Sequence, residues 1–129
     1  MTISMYSVTF VDSLEERFAK VLDEVNIGWM YEVRYTTKAG NNRFRTVDFV
    51  LSRPVNIVEM PEYIEKIVFG PRKSITHIEI KHRMIFSHGR VNRHALKQQR
   101  DLAMVGIHTL ILPEIAIQWI EDHGLERGN

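Results

Sequence analysis

Apolar residues fall into distinct periods along this chain, and the periods name the elements. Leu14, Phe18, Val21, Leu22 and Val25 repeat at helical spacing, so a helix is expected from Asp12 or Ser13 to about Val25, stopped by Asn26-Ile27-Gly28. Ile3 to Phe10 alternates loosely and reads as a short first strand. Trp29 to Tyr35 is rich in aromatic and β-branched residues and reads as a strand. The cluster Lys38-Ala39-Gly40-Asn41-Asn42 turns it into a hairpin whose second arm is Phe44 to Leu51, broken at Arg53-Pro54. A short helix is expected over Glu62 to Val68, after Pro61, and a loop over Gly70 to Ser74.

Thr76 to His82 reads as a strand with Ile78 and Ile80 on one face and Glu79 and Lys81 on the other. Val91 to Val105 is predicted to be a helix that ends at Gly106. Ile107 to Leu112 is almost wholly apolar, as a central buried strand is. Pro113 opens a last helix, Glu114 to His123. The pattern predicts a single α/β domain over residues 1–129, with a central mixed β-sheet flanked by helices.

Composition removes several functions. The 129 residues include no cysteine, which excludes disulfides, zinc–thiolate centres and cysteine nucleophiles. No apolar run is long enough to span a bilayer, and Met1 to Phe10 does not read as a signal peptide, so a cytoplasmic protein without membrane contact is expected. The six histidines have no zinc-ligand spacing, and neither a glycine-rich phosphate loop nor a nucleophile elbow is present.

The net charge is +1, but the charge is unevenly spread. Lys81, Arg83, Arg90, Arg93, Lys97 and Arg100 occupy a stretch with no acidic residue between Glu79 and Asp101. Such a block can follow a phosphate backbone, or it can be a solvated surface. Arg72 and Lys73 stand on a loop that can reach nucleic acid as well.

Two carboxylates on apolar strands, Asp48 and Glu79, are the best chemical candidates, because charge on such a strand is costly unless it is used or paired. Lys81 shares a face with Glu79, and His77 lies on that face too. Carboxylates that converge can hold Mg²⁺ beside a water, which is what phosphodiester hydrolysis needs. A cross-strand salt bridge explains Glu79-Ile80-Lys81 equally well. Glu32 on the second strand faces either the site or solvent, with solvent favoured, and Gln98 can reach the site's edge.

The order of local patterns adds a resemblance. Ser13-Leu14-Glu15, Trp29-Met30-Tyr31-Glu32, Val47-Asp48-Phe49, Ile78-Glu79-Ile80-Lys81 and Gly106-Ile107 follow one another as in the PD-(D/E)XK nuclease superfamily. Within it the chain is similar to the phage-type junction-resolving endonucleases, over about Asp12 to Leu112. The resemblance implies a restriction-endonuclease-like fold and a Mg²⁺- or Mn²⁺-dependent endonuclease. Asp48 and Glu79 would ligate the metal with Glu15 and the Ile80 carbonyl, and Lys81 would assist the attacking water. It further implies a 5′-phosphate product, a homodimer, and DNA, branched DNA in particular, as substrate. Val47 stands where the motif has its proline, and the segment Pro54 to Ser74 is inserted between Asp48 and Glu79. The nuclease reading requires the two carboxylates to meet across that insertion. The alternative is a non-catalytic nuclease-fold module for DNA binding or assembly.

Overall fold

The structure is a computed structural model that describes residues 8–37 and 43–127. Its elements are α1 (Ser13–Glu24), β1 (Trp29–Thr36), β2 (Phe44–Val55), α2 (Glu62–Glu65), β3 (Ile75–Lys81), α3 (Arg93–Ala103), β4 (Thr109–Pro113) and α4 (Glu114–His123). The strands form one sheet in the order β1-β2-β3-β4. β1 and β3 each run antiparallel to β2, whereas β3 and β4 are parallel. Parallel neighbours need a crossover, and α3 supplies it.

The expected mixed α/β sheet with helices on both faces is therefore present. On one face the alternating residues Phe49, Leu51, Ile78, Ile80, Leu110 and Leu112 meet α1 through Leu14, Phe18 and Leu22, and α4 through Ala116, Ile117 and Ile120. On the other face Ile111 packs with Ala95 of α3 and with Met84. Phe49 is the hub of the first layer. Its ring centroid lies 5.3 Å from Phe18, 5.5 Å from both Trp29 and Tyr31, and 6.4 Å from Phe10.

Local chemistry sets the element ends. The Asp12 carboxylate accepts the Glu15 N–H at 3.0 Å and caps α1. Asn26, at φ 58°, and Gly106, at φ 85°, turn the chain out of α1 and α3 in the left-handed conformation that closes helices. Asn92 caps α3 by accepting the Ala95 N–H at 3.1 Å.

Several boundaries differ from the sequence reading: α3 is shorter than Val91 to Val105, β4 starts at Thr109 rather than Ile107, and β3 is displaced by one residue from Thr76 to His82. β2 does not break at Arg53-Pro54 but continues to Val55. Its pairing with β1 ends at Leu51, and its register with β3 shifts between Val50 and Val55, so Pro54 stands where no ladder N–H is required. The helix expected over Glu62 to Val68 is a single turn, Glu62–Glu65. Pro113 is the last residue of β4 as well as the cap of α4. In the first predicted strand, Val8 to Phe10 do not join the sheet, and the rest lies outside the described residues. The turn at Lys38 to Asn42 also lies outside them.

The inserted segment is an excursion that leaves β2 and returns to β3, with Val55 pairing Ile75 at its base. Ile57, Met60, Ile64 and Val68 bury into the main core. Arg72 knots the segment together: its guanidinium pairs with the Glu65 carboxylate at 3.0 Å, donates to the Val68 carbonyl at 2.9 Å, and also reaches the Gly70 carbonyl. Gly70, at φ 127°, lies so close to β4 that a Cβ there would meet the Thr109 carbonyl at 2.4 Å.

Truncating the hub tests this packing. Phe49→Ala should cost about 3–5 kcal/mol, as large-to-small changes in a closed core do. Urea unfolding followed by tryptophan fluorescence reads the effect, and an unchanged midpoint would refute the assignment of Phe49 as the hub.

Candidate functional site

Asp48 and Glu79 meet where β2 and β3 part. Their ladder pairs Val50 with His77 and Phe49 with Ile78, which brings Asp48 opposite Glu79 at the next step. There the side chains replace the backbone ladder. The Asp48 N–H donates to Glu79 Oε1 at 3.1 Å, and the Ile80 N–H donates to Asp48 Oδ2 at 2.7 Å. Each carboxylate thus accepts a backbone N–H from the opposite strand, and each keeps a second oxygen for another partner.

α1 brings a third carboxylate. Glu15 is only 5% exposed and lies near enough for the Asp48 charge to act on it and for its own charge to act on Glu79. Tyr31 of β1 holds it: the Tyr31 hydroxyl is hydrogen-bonded to Glu15 and accepts the Val11 N–H at 3.0 Å. Lys81 follows on the same face of β3, its Nζ donating to Gln98 Oε1 of α3 at 3.4 Å. α3 is itself anchored beside the parted strands by Arg45 of β2, which donates to Asp101 Oδ2 through Nε at 3.0 Å and Nη2 at 2.8 Å.

Burial and mutual repulsion set the electrostatics. Glu15 is pushed up to about 7, first by desolvation and then by the Asp48 charge. Asp48 and Glu79 are both raised, chiefly by desolvation, with the Asp48 charge adding to the rise of Glu79. The Lys81 charge and the backbone N–H groups oppose the rise without cancelling it. Asp48 and Glu79 resist ionising together, so a cation between them would relieve the repulsion, and their hard oxygens suit Mg²⁺ or Mn²⁺. Among the described residues, no group of three histidine, aspartate or glutamate side chains is assembled closely enough to hold an ion. The fit is therefore to Asp48 and Glu79, with Glu15 behind them.

Glu32 has a backbone conformation that sequence periodicity does not reveal. It is flanked in the β1–β2 register by Tyr31 opposite Phe49 and Val33 opposite Val47, so it stands across from Asp48. Its φ is 54°, a left-handed conformation that is rare for a non-glycine residue within a strand. Its side chain is exposed, in line with the sequence reading, yet its charge contributes to the rise of both Asp48 and Glu15. His77, by contrast, is engaged elsewhere, with Tyr35 Oη at 2.9 Å and Thr76 Oγ1 at 2.8 Å.

The cationic candidates divide by position. Arg93, Lys97 and Arg100 line one exposed stripe of α3, Arg90 precedes that helix, and Arg83 lies just beyond β3. Arg72 and Lys73 lie at the far end of β3, roughly 20 Å from Lys81 along a strand of this length. Arg72 is engaged within the protein, as described above, whereas Lys73 is exposed. Sequence reasoning overlooked Tyr31, which has no motif of its own, and the Arg45–Asp101 clamp, whose partners are distant in the chain.

The raised carboxylates predict a pH dependence. A group whose folded pKa is raised stabilises the fold most below its ordinary pKa and loses that contribution as the pH climbs through the folded value. For Glu15 this window runs from 4.5 to about 7. Without metal, Glu15→Gln should therefore stabilise the protein by about 1–3 kcal/mol at pH 8 and change little at pH 5. Thermal melts of the wild type and the variant at both pH values check this, and equal effects at the two would remove the repulsive cluster from the account.

Comparison of the chain with protein-family models, with curated proteins and with solved structures gives no match in any of the three.

Proposed function

We propose that this chain is a metal-dependent endonuclease that hydrolyses phosphodiester bonds in DNA. One observation carries the reading: the exchanged bonds of Asp48 and Glu79 across parted strands, with Lys81 following on the same face. The order α1-β1-β2-β3-α3-β4, and the closeness of Glu15 to the pair, add support for the PD-(D/E)XK resemblance.

Bound there, Mg²⁺ or Mn²⁺ would supply a water acidified enough to attack phosphorus and a positive charge for the phosphoryl oxygens. Asp48 and Glu79 would hold the ion with the Ile80 carbonyl, and Glu15 stands behind them. The Lys81 ammonium, steadied by Gln98, stabilises charge that builds on the phosphoryl group and orients the attacking water. The stripe of Arg93, Lys97 and Arg100 holds the phosphate backbone beside the site. The described residues carry one such centre, so cutting both strands calls for a second copy, and a homodimer is the proposed working form. Branched DNA is the substrate class that the resemblance suggests.

A second reading has its own observation. No three-carboxylate group is assembled for a metal among the described residues, which favours a non-catalytic module that binds DNA through the same basic helix.

Cleavage assays separate the two. Plasmid and branched DNA should be cut with Mg²⁺ or Mn²⁺, and Asp48→Asn or Lys81→Ala should each slow cutting about 100-fold or more. Persistent cutting by both variants would remove the assigned site, whereas binding without cutting would favour the module. Replacing Arg93, Lys97 and Arg100 together with Ala should lower the slope of log affinity against log salt by about 2 to 3. An unchanged slope would take the backbone contact away from α3.

A further inference from the structure

Between β3 and α3 the chain folds back on itself as a small flap. Ile85 pairs with Val91, the Phe86 N–H donates to the Arg90 carbonyl at 2.8 Å, and the Asn92 N–H donates to the Met84 carbonyl at 2.7 Å. Met84 is fully buried at the flap's base, packed with Ala95 and Ile111, so the base is fixed while the tip projects. Gly89, at φ 82°, makes the tip turn.

The tip presents unusual chemistry for a solvated turn. Phe86 is 39% exposed, and His88 lies edge-on to it with ring centroids 6.0 Å apart. A concavity of about 900 Å³ opens beside them, lined also by Arg90, Arg93 and His94 and by Asn92, the cap of α3. None of its lining residues is acidic. The volume is ample for a nucleotide. An exposed ring offers a base a stacking face, while Arg90 and Arg93 offer its phosphates two cations. Arg93 also begins the exposed stripe that runs on through Lys97 and Arg100, so a strand held at the flap continues along α3.

From this we infer that the flap is a binding site for an unpaired nucleotide, with Phe86 stacking on the base and Arg90 and Arg93 holding its phosphates. Bases inside an intact duplex already stack on their neighbours, whereas those in single strands, frayed ends and branch points expose a free face. The inference rests on the nuclease reading and sharpens it, since the flap follows the strand bearing Glu79 and Lys81 and directs the chain toward DNA with unpaired positions.

Binding of labelled DNA oligonucleotides, measured at low salt with EDTA to prevent cutting, tests the site. The probes are a single strand, a fully paired duplex and a duplex with splayed ends. Phe86→Ala should weaken binding to the single strand and the splayed duplex about tenfold, and binding to the paired duplex less than about twofold. Arg90→Ala should weaken all three alike, because phosphate contacts do not read pairing. Phe86 is at the surface, so a matched thermal melt confirms that the variant is folded. Equal losses on all three probes with Phe86→Ala, or no loss on any, would overturn the flap site while leaving the nuclease reading intact. If the wild type binds none of the probes and cuts no DNA, the nuclease reading fails and the flap site fails with it.

Discussion

The structure depends most on what happens where β2 and β3 separate. An antiparallel ladder that stops within a sheet leaves backbone donors without partners, which burial would make costly. Here the Asp48 and Glu79 carboxylates accept two of them. The same two bonds that satisfy the parted strands hold both carboxylates at fixed positions across the gap. Structure and chemistry are joined at this point: neither carboxylate can leave without freeing a backbone N–H, and neither strand can close the ladder without displacing a carboxylate.

Much of the frame around this point was legible in the sequence. Helical spacing identified α1, and strand alternation placed Ile78 and Ile80 opposite Glu79 and Lys81, because those periods follow directly from which face is buried. Gly106 and Pro113 marked the end of α3 and the start of α4. Pro54 misled, since a proline ends a strand only where its missing N–H is needed, and β2 lacks ladder partners at that position. The adjacency of Asp48 and Glu79 was not legible, because it depends on how residues 56–74 return. That return is set by contacts such as Arg72 with Glu65, which have no sequence period. The backbone conformation of Glu32 was hidden for a similar reason: strand periodicity predicts which side a residue faces, not a reversal of its φ.

The electrostatics point the same way. A chain shaped by stability alone would not place Glu15 at 5% exposure within the field of Asp48, Asp12 and Glu32. Residues of matching size without charge would fill the space and avoid the repulsion. Perturbed carboxylates concentrated at one point are a mark of functional sites, where an arrangement costly to the free protein is relieved by what binds. Elsewhere carboxylates sit against arginines: Glu121 with Arg17, Glu126 with Arg53 and Asp101 with Arg45. The contrast makes the cluster at the parted strands hard to read as one more salt bridge.

The position of the cluster also constrains what can reach it. Lys81 and Pro113 are register partners at the carboxyl ends of the parallel strands β3 and β4, the end of an α/β sheet where ligands characteristically bind. The chain leaving β3 forms the flap and then returns as α3, so the cationic stripe and the flap are tied to the same strand as Glu79 and Lys81. The Arg45–Asp101 clamp then fixes α3 against β2, the strand that carries Asp48. A ligand lying along α3 is therefore referenced to both carboxylate-bearing strands at once. Any movement of α3 would shift the cationic stripe and Gln98, and with Gln98 the partner of Lys81, relative to the carboxylates. The cationic stripe and the carboxylate cluster thus form a single mechanical unit, built through contacts far apart in the chain.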